Sequence, residues 1–383
     1  MDSDFDECPE YQRPNWDPNL GVKLIEDPSG TRTQFSIQYD RPNQSASDIS
    51  GRMKRDLLIA FSERGLLPSE AAYNVFRRMI SEQGKRIATS FFNVVSKDDW
   101  NAVNQLLHRK TLFAEIQRIL GIGAYLTEFA IDPVPIDARF RRQFIELGTL
   151  ANIIGATYDM FVDSGKCDPD VVLSKISLNR ALSRLDGLKL HPPYTSASQK
   201  IVSEMMGQYF RLLRRFSDSS NVRLVRDLLR ADVLRLLDAE AKTLSKERYN
   251  EQDVRDKSAL LFVLMGLPAW LALDRVEPNQ VINHRRWLYN IGDLLGWVDD
   301  VADLQSDIKY AQPNRIAIWL YQKNKGIYQI IQHVLEMAGA IMDEWEQNSH
   351  TRGSRCQGLA LSGTVLSWLG GPGDFTQSQP WTS

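Results

Sequence analysis

The chain has 383 residues, 43% of them hydrophobic and 25% charged, a balance that suits a globular protein with one large core or two. A formal charge of −2 excludes the global positive field that nucleic acid or an anionic membrane would select. Three scattered cysteines, Cys8, Cys167 and Cys356, make neither a disulfide framework nor a zinc site, which fits a reducing, cytoplasmic setting.

Residues 1–45 are polar and rich in Pro, Asp and Asn, and they read as an irregular arm. Their acidic start, MDSDFDECPEYQ, has the pattern of neither a secretory signal nor an Arg-rich transit peptide. From Ser47 onward the pattern is helical. Ser47 or Asp48 caps a helix reaching Arg64, and Ser69 caps another running toward Val95. Ser96 and Asp98 open a third that continues to about Leu120, where Gly121 and Gly123 break it. Asp132-Pro133-Val134-Pro135 is a connector, and Asp137 then caps a long helix ending at Asp163.

Asp168-Pro169-Asp170 begins a shorter helix to about Leu185, and His191-Pro192-Pro193 is a loop before a helix over 196–216. The segment 221–246 is strongly periodic, and its arginines, Arg223, Arg226, Arg230 and Arg235, offer contacts to phosphate or, the more ordinary use, a solvated face. The longest apolar run, Ala259–Leu273, contains Pro268 and is shorter than the roughly 20 residues a bilayer span needs. It reads as a core helix kinked or broken at Gly266-Leu267-Pro268. The next helix begins near Asn279, reaches Tyr310 and is stopped by Pro313. Helices over 316–322, 325–347 and 356–369 follow, and residues 371–383 form a flexible tail. With no sustained strand alternation and no repeat, the fold class is all-α, a single large helical bundle over 46–370.

Two stretches stand out. In LGTLANIIGATYDMFVDSG, Asp159 and Asp163 are one helical turn apart; in WLYNIGDLLGWVDDVADLQSDIKYAQPNR, Asp299, Asp303 and Asp307 recur every four residues, with Asp300 beside the first. Carboxylates at i, i+4 and i+8 line one stripe and repel each other, so a cation is expected to face them. Small residues sit above both sets on about the same stripe: Gly148, Asn152 and Gly155 in the first, Gly292 and Gly296 in the second. Glycine costs a helix about 0.5–1 kcal/mol relative to Ala, so close approach of a ligand or a second backbone is expected there. A lone DxxxD is common on a solvated face and a small-residue stripe is common in helix packing. Their joint occurrence, twice in apolar surroundings, is the signal.

Hard Mg²⁺ ions take oxygen ligands, often one or two carboxylates together with substrate phosphates. Two carboxylate pairs across a bundle would bind two or three Mg²⁺ ions and, through them, a diphosphate. Asp159, Asp163, Asp299 and Asp303 are the candidate catalytic acids, and Asp300 and Asp307 join them as candidate metal ligands. Loss of diphosphate from an allylic carbon leaves a carbocation that needs a dry pocket, and aromatic faces stabilise it. Tyr158, Phe161, Trp297 and Trp319 flank the motifs, although core packing is the ordinary use of such rings. Lys309 and Arg315 follow the second motif and are candidates for diphosphate oxygens, with Asn152 on the first stripe as a further substrate contact. The five histidines lack zinc spacing, there is no Glu-x-x-His pair for a di-iron site, and GxxxxGK[ST], GxGxxG and GxSxG are all missing.

The segments TYDMFVD (Thr157–Asp163) and VDDVADLQSD (Val298–Asp307) resemble the two aspartate motifs of class I terpenoid synthases, most nearly the tetraprenyl-β-curcumene synthase-like (large-terpene synthase) group. The resemblance covers about 140–320. It implies an α-helical bundle around an apolar cavity, Mg²⁺ dependence and an isoprenyl diphosphate substrate. Dimers are frequent in that superfamily, so a homodimer is a natural expectation, and farnesyl diphosphate is the first substrate to try. The chain departs from the group at Ala156, where a further acid is usual, and it lacks an NDxxSxxxE motif. DDxxD is matched only at Asp299–Asp303, and the DxxED pattern of head-to-head enzymes is missing. These departures favour a cyclase of an unusual branch over a chain-elongating or head-to-head enzyme, and a prenyltransferase joining an allylic diphosphate to an acceptor is the alternative enzyme. An interaction protein with solvated acidic faces is the non-enzymatic alternative.

Overall fold

The computed structural model describes residues 46–92, 95–107, 112–163, 196–216, 223–244, 250–310, 312–348 and 356–369. The expected arm, the helix from Asp168, the loop at His191 and the tail lie outside the described residues. Every regular element among the described residues is helical, so the all-α class holds. In chain order these are α1 (Ala46–Glu63), α2 (Glu70–Phe91), α3 (Lys97–Leu107), α4 (Leu112–Ile131), α5 (Ala138–Asp163), α6 (Ala197–Arg214), α7 (Arg223–Leu244) and α8 (Glu251–Gly266). A 3₁₀ turn (Leu267–Ala272) precedes α9 (Pro278–Tyr310), followed by α10 (Arg315–Ala317), a π turn (Ile318–Gln322), α11 (Ile327–Asn348) and α12 (Cys356–Leu369).

Side-chain caps set the starts. Ser69 Oγ accepts from Ala72 N at 3.2 Å, Ser96 Oγ from Asp99 N at 3.2 Å, and Asp137 Oδ1 from Arg139 N at 2.9 Å. Ser196 accepts from Gln199 N at 3.2 Å. At α8 the box is reciprocal: Asp253 N donates to Asn250 Oδ1 at 3.1 Å, and Asn250 N donates to Asp253 Oδ2 at 2.9 Å. Each cap supplies an acceptor for a first-turn N–H and is worth about 1 kcal/mol.

The described residues group into two compact units, one within Met1–Phe76, Ser245–Ala259 and Asn290–Ser383, the other within Arg77–Leu244 and Leu260–Tyr289. In the first, α11 and α12 pack on α1, and Ser50 Oγ of α1 donates to the Val301 carbonyl of α9 at 3.0 Å. Its core includes Met53, Leu57, Val298, Val301, Leu304, Ile330 and Val334, all buried. Burying each such side chain stabilises by about 1.5–3 kcal/mol.

In the second unit α4 packs on α5, and α6 packs on both α3 and α5. Gly121 and Gly123 do not break α4, contrary to the sequence expectation. A Cβ at Gly121 would lie 2.2 Å from the Ile80 carbonyl oxygen, and one at Gly84 would lie 1.9 Å from the Gln117 oxygen. These glycines let α2 and α4 touch backbone to backbone, an approach that outweighs the modest propensity cost. α8 stops as expected at Gly266. Pro268 has no N–H to give the carbonyl four residues back, and that carbonyl, of Leu264, accepts from Tyr209 Oη at 2.8 Å. His284 is buried, accepting from Trp270 Nε1 at 2.8 Å through Nδ1 and donating through Nε2 to the Ala130 carbonyl at 2.8 Å. Burial lowers its pKa to about 4, against a smaller upward pull from Ala130.

Candidate functional site

Asp159 stands exposed on α5 while Thr157, Tyr158, Met160 and Phe161 around it are buried. Asp163 is the last residue of this helix, and its side chain lies outside the described set. Residues on a helix step round by about 100°, so neighbours in sequence do not share a face. Phe161 accordingly points into the core, with its ring 6.4 Å from that of Trp100. Asn152 Nδ2 donates to the Ile119 carbonyl at 3.2 Å, across a gap that a Cβ at Gly123 would close, since it would sit 2.8 Å from that nitrogen. Gly148 receives Thr127 and the Met265 carbonyl, and Gly155 receives Leu261. This small-residue stripe is filled by helix packing.

In the first unit α9 repeats the pattern. Asp299 is exposed between Trp297, Val298, Asp300 and Val301, all buried; Asp303 is exposed one turn later and Asp307 is half-buried. Partial enclosure raises the Asp303 carboxyl above its usual range, and Lys54 works in the opposite direction. The Lys309 side chain lies outside the described set.

Asp300 occupies a different face of α9 from its neighbour Asp299. Beyond the stop at Pro313 the chain folds back onto α9. Arg315, only 1% exposed, donates from Nε to Asp300 Oδ2 at 2.6 Å and from Nη1 to Asp293 Oδ1 at 2.5 Å. Asp293 also pairs with Arg255 Nε at 2.6 Å. Burial alone would lower the Arg315 pKa, but Asp300 and Asp293 together hold it above its ordinary value. Gly296 makes the room: a Cβ there would lie 2.2 Å from Arg315 Nη2 and 2.1 Å from Ser258 Oγ. Arg315, expected on diphosphate oxygens, is thus committed to two carboxylates, and Asp300, expected on a metal, is committed to Arg315.

On the same side of α9 a cavity of about 290 Å³ opens, bordered by Trp297, Trp319, His333, Glu251, Arg255 and Asp293, among others. The rings of Trp297 and Trp319 meet edge to face at 4.8 Å, and His333 lies 5.4 Å and 5.0 Å from them. Burial lowers the His333 pKa and favours its neutral form. Trp319 Nε1 donates to Glu251 Oε1 at 2.7 Å, and Lys323 pairs with the same carboxylate. Trp319 sits in the π turn, where Lys323 N reaches the Ile318 carbonyl at 3.1 Å, five residues back. The structure therefore brings Trp297, Arg315 and Trp319 together. They lie against the face of α9 that carries Asp293, Trp297 and Asp300, about 100–160° round the helix from Asp299.

Among the described residues no three or more His, Cys, Asp or Glu side chains gather as a metal cage. Asp299 and Asp303, exposed one turn apart, offer the hard oxygens that Mg²⁺ takes when it shares a phosphate ligand and keeps several waters. The donor set fits such a shared ion better than a closed protein site. Sequence reasoning missed Asp293, Arg255, Glu251, Asn314 and His333. One signal for Asp293 was present: with Trp297 and Asp300 it forms an i, i+4, i+7 stripe.

No helix among the described residues is long and apolar enough to cross a membrane. No protein-family model matches the chain. The curated proteins also hold no match. Among solved structures, a geranylgeranyl pyrophosphate synthetase from the archaeon Geoglobus acetivorans is similar at a TM-score of 0.45 and 15% identity, over 76% of this chain and 98% of that one.

Proposed function

We propose that the chain is a Mg²⁺-dependent enzyme of the class I terpenoid synthase type, a terpene cyclase that ionises a linear isoprenyl diphosphate and closes the resulting carbocation into rings. The observation that carries this reading is the exposure of Asp159 and of Asp299 with Asp303, each in a helical stretch whose neighbours are buried. A helix has no packing reason to place like charges one turn apart beside its most buried residues, and doing so costs a few tenths of a kcal/mol per pair. Asp159 with Asp163, and separately Asp299 with Asp303, would hold Mg²⁺, with Asp307 as a further acid beside the second pair. Bound Mg²⁺ supplies Lewis acidity that stabilises the negative charge on the departing diphosphate. Each acid pair would orient the diphosphate by way of the ions it holds. Lys309 remains the candidate for direct contact with its oxygens. Trp297 and Trp319 border the cavity on another face of α9, away from Asp299 and Asp303.

The test is incubation with Mg²⁺ and geranyl, farnesyl, geranylgeranyl or geranylfarnesyl diphosphate, following pyrophosphate release and the extracted products. Asp159→Ala and Asp299→Ala should each lower turnover by about a thousandfold, roughly 4 kcal/mol of transition-state stabilisation, with helical content unchanged. Normal turnover in both variants refutes the reading. A product longer than its substrate, formed only with a second substrate, assigns the prenyltransferase reaction instead. Absence of turnover, together with no rise in melting temperature on adding Mg²⁺ and pyrophosphate, favours the helical interaction protein.

A further inference from the structure

Five aspartates lie on α9 from Asp293 to Asp307, and they do not share one task. Asp293 and Asp300 are buried and hold Arg315; Asp299 and Asp303 are exposed. Asp307 stands between the two groups, and Asn314 holds one of its oxygens. Asn314, 2% exposed, donates from Nδ2 to Asp307 Oδ2 at 2.8 Å and to the Asp300 carbonyl at 2.7 Å. Its Oδ1 accepts from Ala317 N at 3.1 Å. Arg315 N donates to Asp300 Oδ2 at 3.3 Å, and Gln312 N to the Asp307 carbonyl at 2.8 Å. The fold-back is therefore pinned to α9 on both sides of Asn314.

The geometry points to Asn314 as a positioning residue for the acidic ridge, with Arg315 as the anchor that keeps it in place. The inference rests on the reading of α9 as a Mg²⁺–diphosphate helix. A neutral amide fixes one oxygen of Asp307 without cancelling its charge, whereas the guanidiniums of Arg315 and Arg255 together offset the charges of Asp300 and Asp293. The chain thereby sorts its acids. Asp293 and Asp300 serve the anchor, and Asp299, Asp303 and Asp307 form the ridge offered to the metal. On this view Asp300 is no metal ligand, although it completes the DDxxD pattern.

Asn314→Ser tests this, because serine retains a capping oxygen for Ala317 N and loses the two-hydrogen amide. Binding of Mg²⁺ in the presence of inorganic pyrophosphate is measured by calorimetry on the full chain, beside turnover at low and saturating Mg²⁺. The variant is expected to need about tenfold more Mg²⁺ for half-saturation in both assays, with kcat at saturating Mg²⁺ within about twofold of wild type. Arg315→Lys, which keeps the charge and loses the fork, should shift the same parameter in the same direction. An unchanged Mg²⁺ requirement in Asn314→Ser, or a fall in kcat with no such shift, overturns the positioning role while leaving the functional reading intact. Wild-type protein that binds no Mg²⁺ with pyrophosphate overturns both. Should Asn314→Ser fail to fold, the Arg315→Lys titration decides by the same criteria.

Discussion

Gly296→Ala is the sharpest perturbation of the core around α9, because two physical effects give it opposite signs. Helix propensity alone makes alanine better by about 1 kcal/mol at an interior helical position. The structure opposes this, since the new Cβ would lie 2.1 Å from Ser258 Oγ, 2.7 Å from Ser258 Cβ and 2.2 Å from Arg315 Nη2. Overpacking of that kind costs about 1–3 kcal/mol. The guanidinium cannot swing aside freely, because Asp293 and Asp300 hold it, and stranding those buried carboxylates costs about 3–5 kcal/mol. A partial shift gives a net destabilisation of about 2–4 kcal/mol. Urea unfolding followed by far-ultraviolet circular dichroism reads this as a lowered midpoint at constant slope. Gly207→Ala is the control: it is an interior helical glycine on α6 with nothing within 4 Å of its Cβ, so it should stabilise by about 0.5–1 kcal/mol. If Gly296→Ala stabilises as Gly207→Ala does, the packing of Arg315 against α9 is wrong.

Tyr209→Phe should cost about 1–3 kcal/mol in the same assay, because it leaves the Leu264 carbonyl without its buried donor; an unaltered midpoint would show that the carbonyl is satisfied some other way. For His284 the sign follows from linkage. The folded state keeps the ring neutral down to about pH 4, whereas an unfolded histidine protonates near pH 6.5. The unfolded state therefore binds more protons between these values, and stability falls as pH is lowered through that window, by about 3 kcal/mol in all. Unfolding at several pH values should show that slope in wild type and lose it in His284→Gln; equal slopes assign the acid sensitivity to other groups.

Local signals carried the fold further than they carried the site. Ser69, Ser96, Asp137 and Ser196 announce helix starts because a cap is settled within three residues, and the stop at Pro268 is equally local. Gly121 and Gly123 mislead for the opposite reason. Their partners, Ile80 and Asn152, are remote in the chain, and only those partners show why a glycine belongs inside a helix. Arg315 illustrates the same limit: the sequence shows a cation after an acidic helix, whereas its targets become visible only once Pro313 and Asn314 turn the chain back. Tyr158 and Phe161 sit beside Asp159 in the sequence and face the interior, because adjacency along a helix means divergence around it.

The wide loop of backbone at Ile318–Gln322 holds one more residue than an ordinary helical turn. It is accordingly a place where the polypeptide can shed a residue and still close its main-chain bonds, by relaxing to the regular spiral. The toll would fall on orientation: whatever follows the deletion swings by about 100° relative to what precedes it, and the indole of Trp319 would lose its acidic partner on α8. Variants shortened by one amino acid here should stay helical yet reshape the hollow beside Trp297, making this turn a natural dial for what that hollow admits.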